Sequence, residues 1–162
     1  MFHHDLNHTG IAVSTSTAVA GDKLWNFTTG APIWASPAVV DNLVYIASDD
    51  GKLYCLNALT GQSIWNSTNE SSRRSAIGSS AAVQDGYVYF GSYNGNVYCL
   101  SAATGQKVWN FTTGDTVESS PAVANGYVYV GSWDGEIYCF DALTGSKIWN
   151  FTAGSLIESS PA

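Results

Sequence analysis

At 162 residues the chain has the length of one domain, long enough to bury a core, and no apolar run in it is long enough to span a bilayer. Aromatic residues at 13% and charged residues at 12% give a composition of strands and tight turns rather than helices. A net charge of −7 with only six Lys plus Arg argues against nucleic acid or an anionic membrane as a partner, since either needs a basic face and the only basic pair is Arg73-Arg74.

The opening MFHHDLNHTG lacks the basic-then-apolar order of a signal peptide. His3, His4 and His8 beside Asp5 are the only histidines; imidazoles this close can hold a transition metal, but a terminal segment seldom organises one, and no metal site is expected. Residues 1–20 read as a lead-in with degenerate blade strands. From there the chain repeats itself. AGDKLWNFTTG (20–30) is a partial copy, followed by LVYIASDDGKLYCLNALTGQSIWNSTN (43–69), YVYFGSYNGNVYCLSAATGQKVWNFTTG (87–114) and YVYVGSWDGEIYCFDALTGSKIWNFTAG (127–154). Trp25, Trp65, Trp109 and Trp149 fall 40, 44 and 40 residues apart, a period that marks a repeat architecture.

Each full copy predicts four strands. In the last they are SSPAVA (119–124), YVYVGS (127–132), EIYCFDA (136–142) and KIWNFT (147–152). The first link carries Asn125-Gly126, and the second links carry Asp50-Gly51, Asn94-Gly95 and Asp134-Gly135, all dipeptides that favour two-residue turns with positive φ. Thr-Gly joins the last two strands at 60–61, 104–105 and 144–145. Runs such as YVYVG and LYCL are apolar on both faces, as expected for sheets stacked between neighbours. The expected fold is therefore all-β, a β-propeller of four-stranded antiparallel blades.

First strands begin at 35, 79, 119 and 159 and last strands at 24, 64, 108 and 148, which gives about four blade-equivalents in one domain. Residues 21–158 would hold the blade repeats, and 159–162 would be a strand closing a blade begun by the N-terminus. Two chains would then build an eight-bladed ring; the alternative partner is the remainder of a longer propeller.

The repeat carries a family resemblance. Ala-x-Thr-Gly-x-x-x-Trp occurs at 58–65, 102–109 and 142–149, and a degraded version keeps Ala18, Gly21 and Trp25. This resembles the tryptophan-docking repeat of the quinoprotein (pyrroloquinoline quinone)-like propellers, a family that includes quinoprotein alcohol dehydrogenases and a lipoprotein of outer-membrane assembly. Archaeal and bacterial surface members are similar as well. The resemblance implies that Trp25, Trp65, Trp109 and Trp149 dock against a neighbouring blade near Gly61, Gly105 and Gly145, and that the protein works outside the cytoplasm.

Catalysis in the family's dehydrogenases implies a bound quinone, a calcium held by carboxylate and amide oxygens, an Asp base and often vicinal cysteines. Here Cys55, Cys99 and Cys139 occupy one place in successive copies, about a sheet spacing apart, too far for a disulfide; they read as small buried residues. Asp50 and Asp134 are wanted by their turns. No cofactor and no catalytic residue is expected. The sequons at Asn26, Asn66, Asn110 and Asn150 fall in phase after each tryptophan, with two more at Asn7 and Asn69, as glycosylation sites or as part of the duplicated unit.

Positions that differ between copies are free to serve a site. These are Trp34, Gly78, Glu118 and Glu158 before the first strands and Asp49, Tyr93 and Trp133 before the second turns. The longer loop 66–78 adds Arg73 and Arg74. Loops at these places share one rim, so aromatic groups, carboxylates and an Arg pair would form a recognition face for a peptide or glycan. The expected function is a non-catalytic scaffold or binding module. A quinone- or metal-dependent oxidoreductase and a purely structural repeat are the alternatives.

Overall fold

The structure, a computed structural model, describes residues 23–68 and 76–161. They hold three four-stranded antiparallel sheets and no helix. The first blade is β1 (Ala38–Val40), β2 (Leu43–Ala47), β3 (Lys52–Asn57) and β4 (Ser63–Thr68). The second is β5 (Ala82–Gln84), β6 (Tyr87–Gly91), β7 (Asn96–Ser101) and β8 (Lys107–Thr112), and the third β9 (Ala122–Ala124), β10 (Tyr127–Gly131), β11 (Glu136–Asp141) and β12 (Lys147–Thr152). Strands pair in chain order within each sheet, so each blade is a meander, and the expected all-β propeller of four-stranded blades is the fold found.

Some local expectations change. The innermost strands are three residues long, with the preceding Ala-Ser-Pro, Ser-Ser-Ala and Ser-Ser-Pro outside them. Residues 23–30 and 159–161 carry no strand. The first turns are the expected kind, with both central residues at positive φ: Asp41-Asn42 at 50° and 62°, Asp85-Gly86 at 52° and 81°, Asn125-Gly126 at 52° and 80°. The second turns are not. There only Gly51, Gly95 and Gly135 have positive φ, and a four-residue link starting at Ser48, Ser92 or Ser132 is closed by that serine's N–H donating to the carbonyl of Lys52, Asn96 or Glu136.

Period-two alternation sends one set of side chains to each neighbouring blade. Tyr45, Ala47, Leu53 and Cys55 of the first blade pack with Val88, Phe90, Tyr98 and Leu100 of the second. Tyr89, Val97 and Cys99 of the second pack with Val128, Val130, Tyr138 and Phe140 of the third. On the first blade's other face, Ile46, Tyr54 and Leu56 are covered by Trp25 and Phe27.

The blades are tied at two radii. At the outer edge the indole Nε1–H of Trp25, Trp65 and Trp109 donates to the carbonyl of Ala58, Ala102 and Ala142 in the next blade, at 2.9, 3.0 and 2.9 Å. At the inner end, the backbone N–H of Ser36, Ser80 and Ser120 donates to the Oγ of Ser80, Ser120 and Ser160, each at 2.9 Å. One serine per blade thus forms a chain of hydrogen bonds crossing the sheets.

The repeated glycine beneath each indole is required twice over. Gly145 has φ of 69°, and a Cβ there would sit 2.5 Å from Cδ2 of Trp109. Gly126, at φ of 80°, has nothing within 4 Å of such a Cβ. Gly126→Ala should therefore cost only the left-handed backbone penalty of about 1–2 kcal/mol. Gly145→Ala should cost at least ~2 kcal/mol more, because it also displaces an indole whose loss is worth about 3–5 kcal/mol. Urea unfolding of the two variants measures the difference; equal costs would mean the docked indole contributes nothing.

Candidate functional site

The loops entering each blade and the second turns lie against each other on one rim. Backbone bonds fix this: the N–H groups of Asp49, Tyr93 and Trp133 donate to the carbonyls of Pro32, Ala76 and Thr116 at 2.9–3.0 Å. The variable positions are thereby brought together. Trp34, 75% exposed, donates its indole Nε1–H to Asp49 Oδ2 at 2.9 Å. Tyr93 Oη–H donates to Glu118 Oε1 at 3.0 Å, and its ring lies 6.5 Å from that of Trp133. Gly78 leaves room for Tyr93, since a Cβ there would meet the tyrosine oxygen at 2.7 Å. Burial, then the hydrogen bond to Glu118 and the charges of Glu118 and Asp49, push the Tyr93 hydroxyl up to about 12.

Two polar atoms of this row are buried and have no hydrogen-bond partner among the described residues: Asp49 Oδ1 and Trp133 Nε1. Such groups cost free energy unless something satisfies them. Trp133 is half-buried rather than freely exposed, and Glu158 is exposed on the loop beyond the third blade. Arg73 and Arg74 lie outside the described residues, as do His3, His4 and His8, Asn7, Asn69 and the lead-in 1–20.

The turn carboxylates serve the backbone. Asp50 Oδ2 accepts from Gly30 N–H at 2.8 Å and Tyr54 Oη–H at 2.6 Å, and Oδ1 from Lys52 N–H at 3.0 Å. Asp134 repeats this with Gly114, Tyr138 and Glu136. Burial pushes the Asp50 carboxyl up, but the Tyr54 hydroxyl and the two N–H donors outweigh it and hold it below its ordinary 3.8. All three cysteines are buried and free, and burial raises each thiol, Cys99 to about 12. They lie opposite Trp65, Trp109 and Trp149 across the last strand pair.

Asn26, Asn66, Asn110 and Asn150 are exposed. The sequence reading missed a second role for the last two sequons. Asn110 and Thr112 both donate to Asn96 Oδ1, and Asn150 and Thr152 to the Glu136 carboxylate, so Asn-x-Thr clamps the outermost strand to its neighbour. Of the cross-strand partners, Glu136 was read only as the start of a strand.

A quinone with its calcium does not fit these residues. A tricarboxylate quinone needs cations, whereas the described rim presents Asp49, Glu118 and Glu158. The described residues contain no cluster of three His, Cys, Asp or Glu able to hold a metal. The turn carboxylates are already engaged and the cysteines are buried apart.

Comparison with known proteins places this geometry. The family described as outer membrane protein assembly factor BamB matches residues 10–77 and 62–161. Among solved structures, BamB from Moraxella catarrhalis is 24% identical with a TM-score of 0.68, over 80% of this chain and 39% of that one. The quinohemoprotein alcohol dehydrogenase of Comamonas testosteroni is 26% identical with a TM-score of 0.66, over 75% of this chain and 21% of that one. The computationally designed Ika4 protein is 23% identical with a TM-score of 0.75, covering 86% of this chain and 85% of that one. The chain thus spans well under half the length of the natural solved proteins it resembles. None of the curated proteins compared matches it.

The lowered Asp50 carboxyl has a pH consequence. A group whose folded pKa is depressed contributes stability above its unfolded value, lost as pH falls through the folded value. Asp50→Asn should be tolerated, since Asn94 fills the equivalent turn and donates to Tyr98 Oη at 2.8 Å. Its Tm deficit relative to wild type should be full at pH 6 and should narrow between pH 4 and 2. A gap constant across that range would show that the carboxylate's charge is immaterial.

Proposed function

The chain belongs to the family described as outer membrane protein assembly factor BamB, and from that membership we propose that it is a non-catalytic propeller module, working outside the cytoplasm, whose rim binds a peptide. The observation that carries this reading is the row formed by Trp34, Asp49, Tyr93, Glu118 and Trp133, in which one acceptor and one indole donor are buried without partners. A peptide backbone supplies both missing partners, an N–H for Asp49 Oδ1 and a carbonyl for Trp133 Nε1. Aromatic rings that bury area at low entropic cost are the usual anchors of such interfaces. The carboxylates Asp49, Glu118 and Glu158 favour a peptide carrying Lys or Arg, whose cation can also lie over an indole face.

The oxyanion-rich rim and the engaged turn carboxylates count against a quinone oxidoreductase, although dehydrogenases share the fold. No helix of the described residues is long and apolar enough to cross a membrane. The three described blades are part of a propeller, so the rim works as a segment of a larger ring.

Selection of displayed peptides on the immobilised protein tests the reading. Binders enriched in Lys or Arg are expected, and Trp34→Ala should weaken them by at least ~10-fold with the Tm unchanged, since Trp34 makes few contacts. Glutamine at both Asp49 and Glu118 should abolish the basic preference. Enrichment only on glycan arrays, saturable quinone binding, or peptides indifferent to Trp34 would each overturn the peptide reading.

A further inference from the structure

The sequence holds two Asn-Gly steps, Asn94-Gly95 and Asn125-Gly126, and the fold treats them in opposite ways. At the first, both members are held. Asn94 Nδ2–H donates to Tyr98 Oη at 2.8 Å, and Asn94 Oδ1 accepts from the Asn96 N–H and Nδ2–H, each at 3.1 Å. The Gly95 N–H donates to the Ser92 carbonyl at 3.0 Å, and the Gly95 carbonyl accepts from the Thr113 N–H and Oγ1–H at 2.8 and 2.9 Å. Asn94 is half-buried and Gly95 buried.

At the second step neither reacting group is held. Asn125 and Gly126 are the exposed centre of the turn between β9 and β10, closed by the pair Ala124 and Tyr127. Among the described residues nothing bonds the Asn125 side-chain amide, and the Gly126 N–H has no acceptor. A Cβ on Gly126 would meet nothing within 4 Å, so the space over the turn is open. β9 is three residues long, and a turn at the end of so short a strand opens locally more readily than the blade unfolds.

We infer that Asn125 is a site of spontaneous covalent modification, by ring closure onto Gly126. In the opened turn the Gly126 nitrogen gives up its proton and attacks Asn125 Cγ. The bond from Cγ to the side-chain nitrogen breaks, and that nitrogen leaves as ammonia with the proton. The product is a five-membered succinimide, and glycine, having no side chain, leaves the attack unhindered. Water then opens the ring. Addition at Cγ gives aspartate, the residue that Asp85 already places in the same turn of the second blade at φ of 52°. Addition at the backbone carbonyl gives isoaspartate, whose main chain runs through Cβ and is one atom longer.

The longer link bears on a joint between blades. The Gly126 carbonyl accepts from the Ala142 N–H at 2.9 Å, and the Ala142 carbonyl accepts from Trp109 Nε1–H at 2.9 Å and Tyr89 Oη–H at 3.2 Å. An extra main-chain atom before Gly126 displaces its carbonyl and loosens the residue on which the indole is docked. The age of the chain is thereby coupled to the hold of the second blade on the third, whatever the rim binds.

Incubation of the full chain in mildly alkaline buffer, followed by trypsin and mass spectrometry, tests the site. Cuts after Arg74, Lys107 and Lys147 put Asn94 and Asn125 in separate peptides, and conversion makes a peptide heavier by the exchange of NH for O. In the folded chain Asn125 should convert at least ~10-fold faster than Asn94, whose bonds must break first. In concentrated urea, where neither turn is formed, the two rates should become alike. The isoaspartyl form, separated by chromatography, should exchange the Ala142 amide hydrogen at least ~10-fold faster than fresh protein, whereas Asn125→Asp should exchange it at the native rate. Equal rates at the two steps in the folded chain, or a difference that persists in urea, would overturn the site. Unchanged exchange at Ala142 in the isoaspartyl form would overturn its effect on the joint.

Discussion

A single indole N–H reaching a backbone carbonyl of the next sheet is the interaction on which the arrangement depends. A blade on its own is four short strands with apolar residues on both faces, a form that is at best marginal in water. Each becomes stable by burying both faces, and the docked tryptophan covers the outer part of one face while satisfying a carbonyl that the turn would leave unpaired. Because the acceptor is main chain, the joint asks little of the neighbour's side chains: an alanine, a glycine and a turn of the right kind. That is why the motif could be copied along the chain while other residues drifted.

With the blades held this way, the loops on the rim are relieved of structural duty except through their backbone. Ser48, Ser92 and Ser132 and the residues after them anchor each turn to the preceding loop through main-chain bonds, and Asp50, Asn94 and Asp134 hold the turn itself. The side chains at 49, 93 and 133 are free of that task. These positions carry Asp, Tyr and Trp in three successive blades, the first two bonded to the entry-loop residues Trp34 and Glu118 and the third with its ring beside Tyr93, and from this alternation of anchored and free positions the candidate site arises.

Much of this was legible in the residues. The Trp period, the Thr-Gly step and the hairpin dipeptides led to the right number of strands per blade and the right order, and the in-phase differences led to the rim. The misses have physical causes. Asn-Gly and Asp-Gly were read as two-residue hairpins at both kinds of turn, but at the second the side chain of Asp50, Asn94 or Asp134 caps the backbone and a four-residue link results. The sequons were read as glycan acceptors or as residue of duplication. Their clamp on Asn96 and Glu136 depends on cross-strand register, which no local pattern displays. The unpartnered Asp49 Oδ1 and Trp133 Nε1 depend on burial in three dimensions and leave no trace in the sequence.

The longest loop, 66–78, adds four residues between two blades, yet the indole bonds on either side of it differ by only 0.1 Å and the serine links not at all. The wedge angle between sheets is therefore set by the fixed inner and outer links and not by the length of chain that joins them. Curvature and loop length are independent variables in this protein. Rim loops can lengthen or change without altering how one blade docks on the next, so the propeller can acquire new surfaces on unchanged joints.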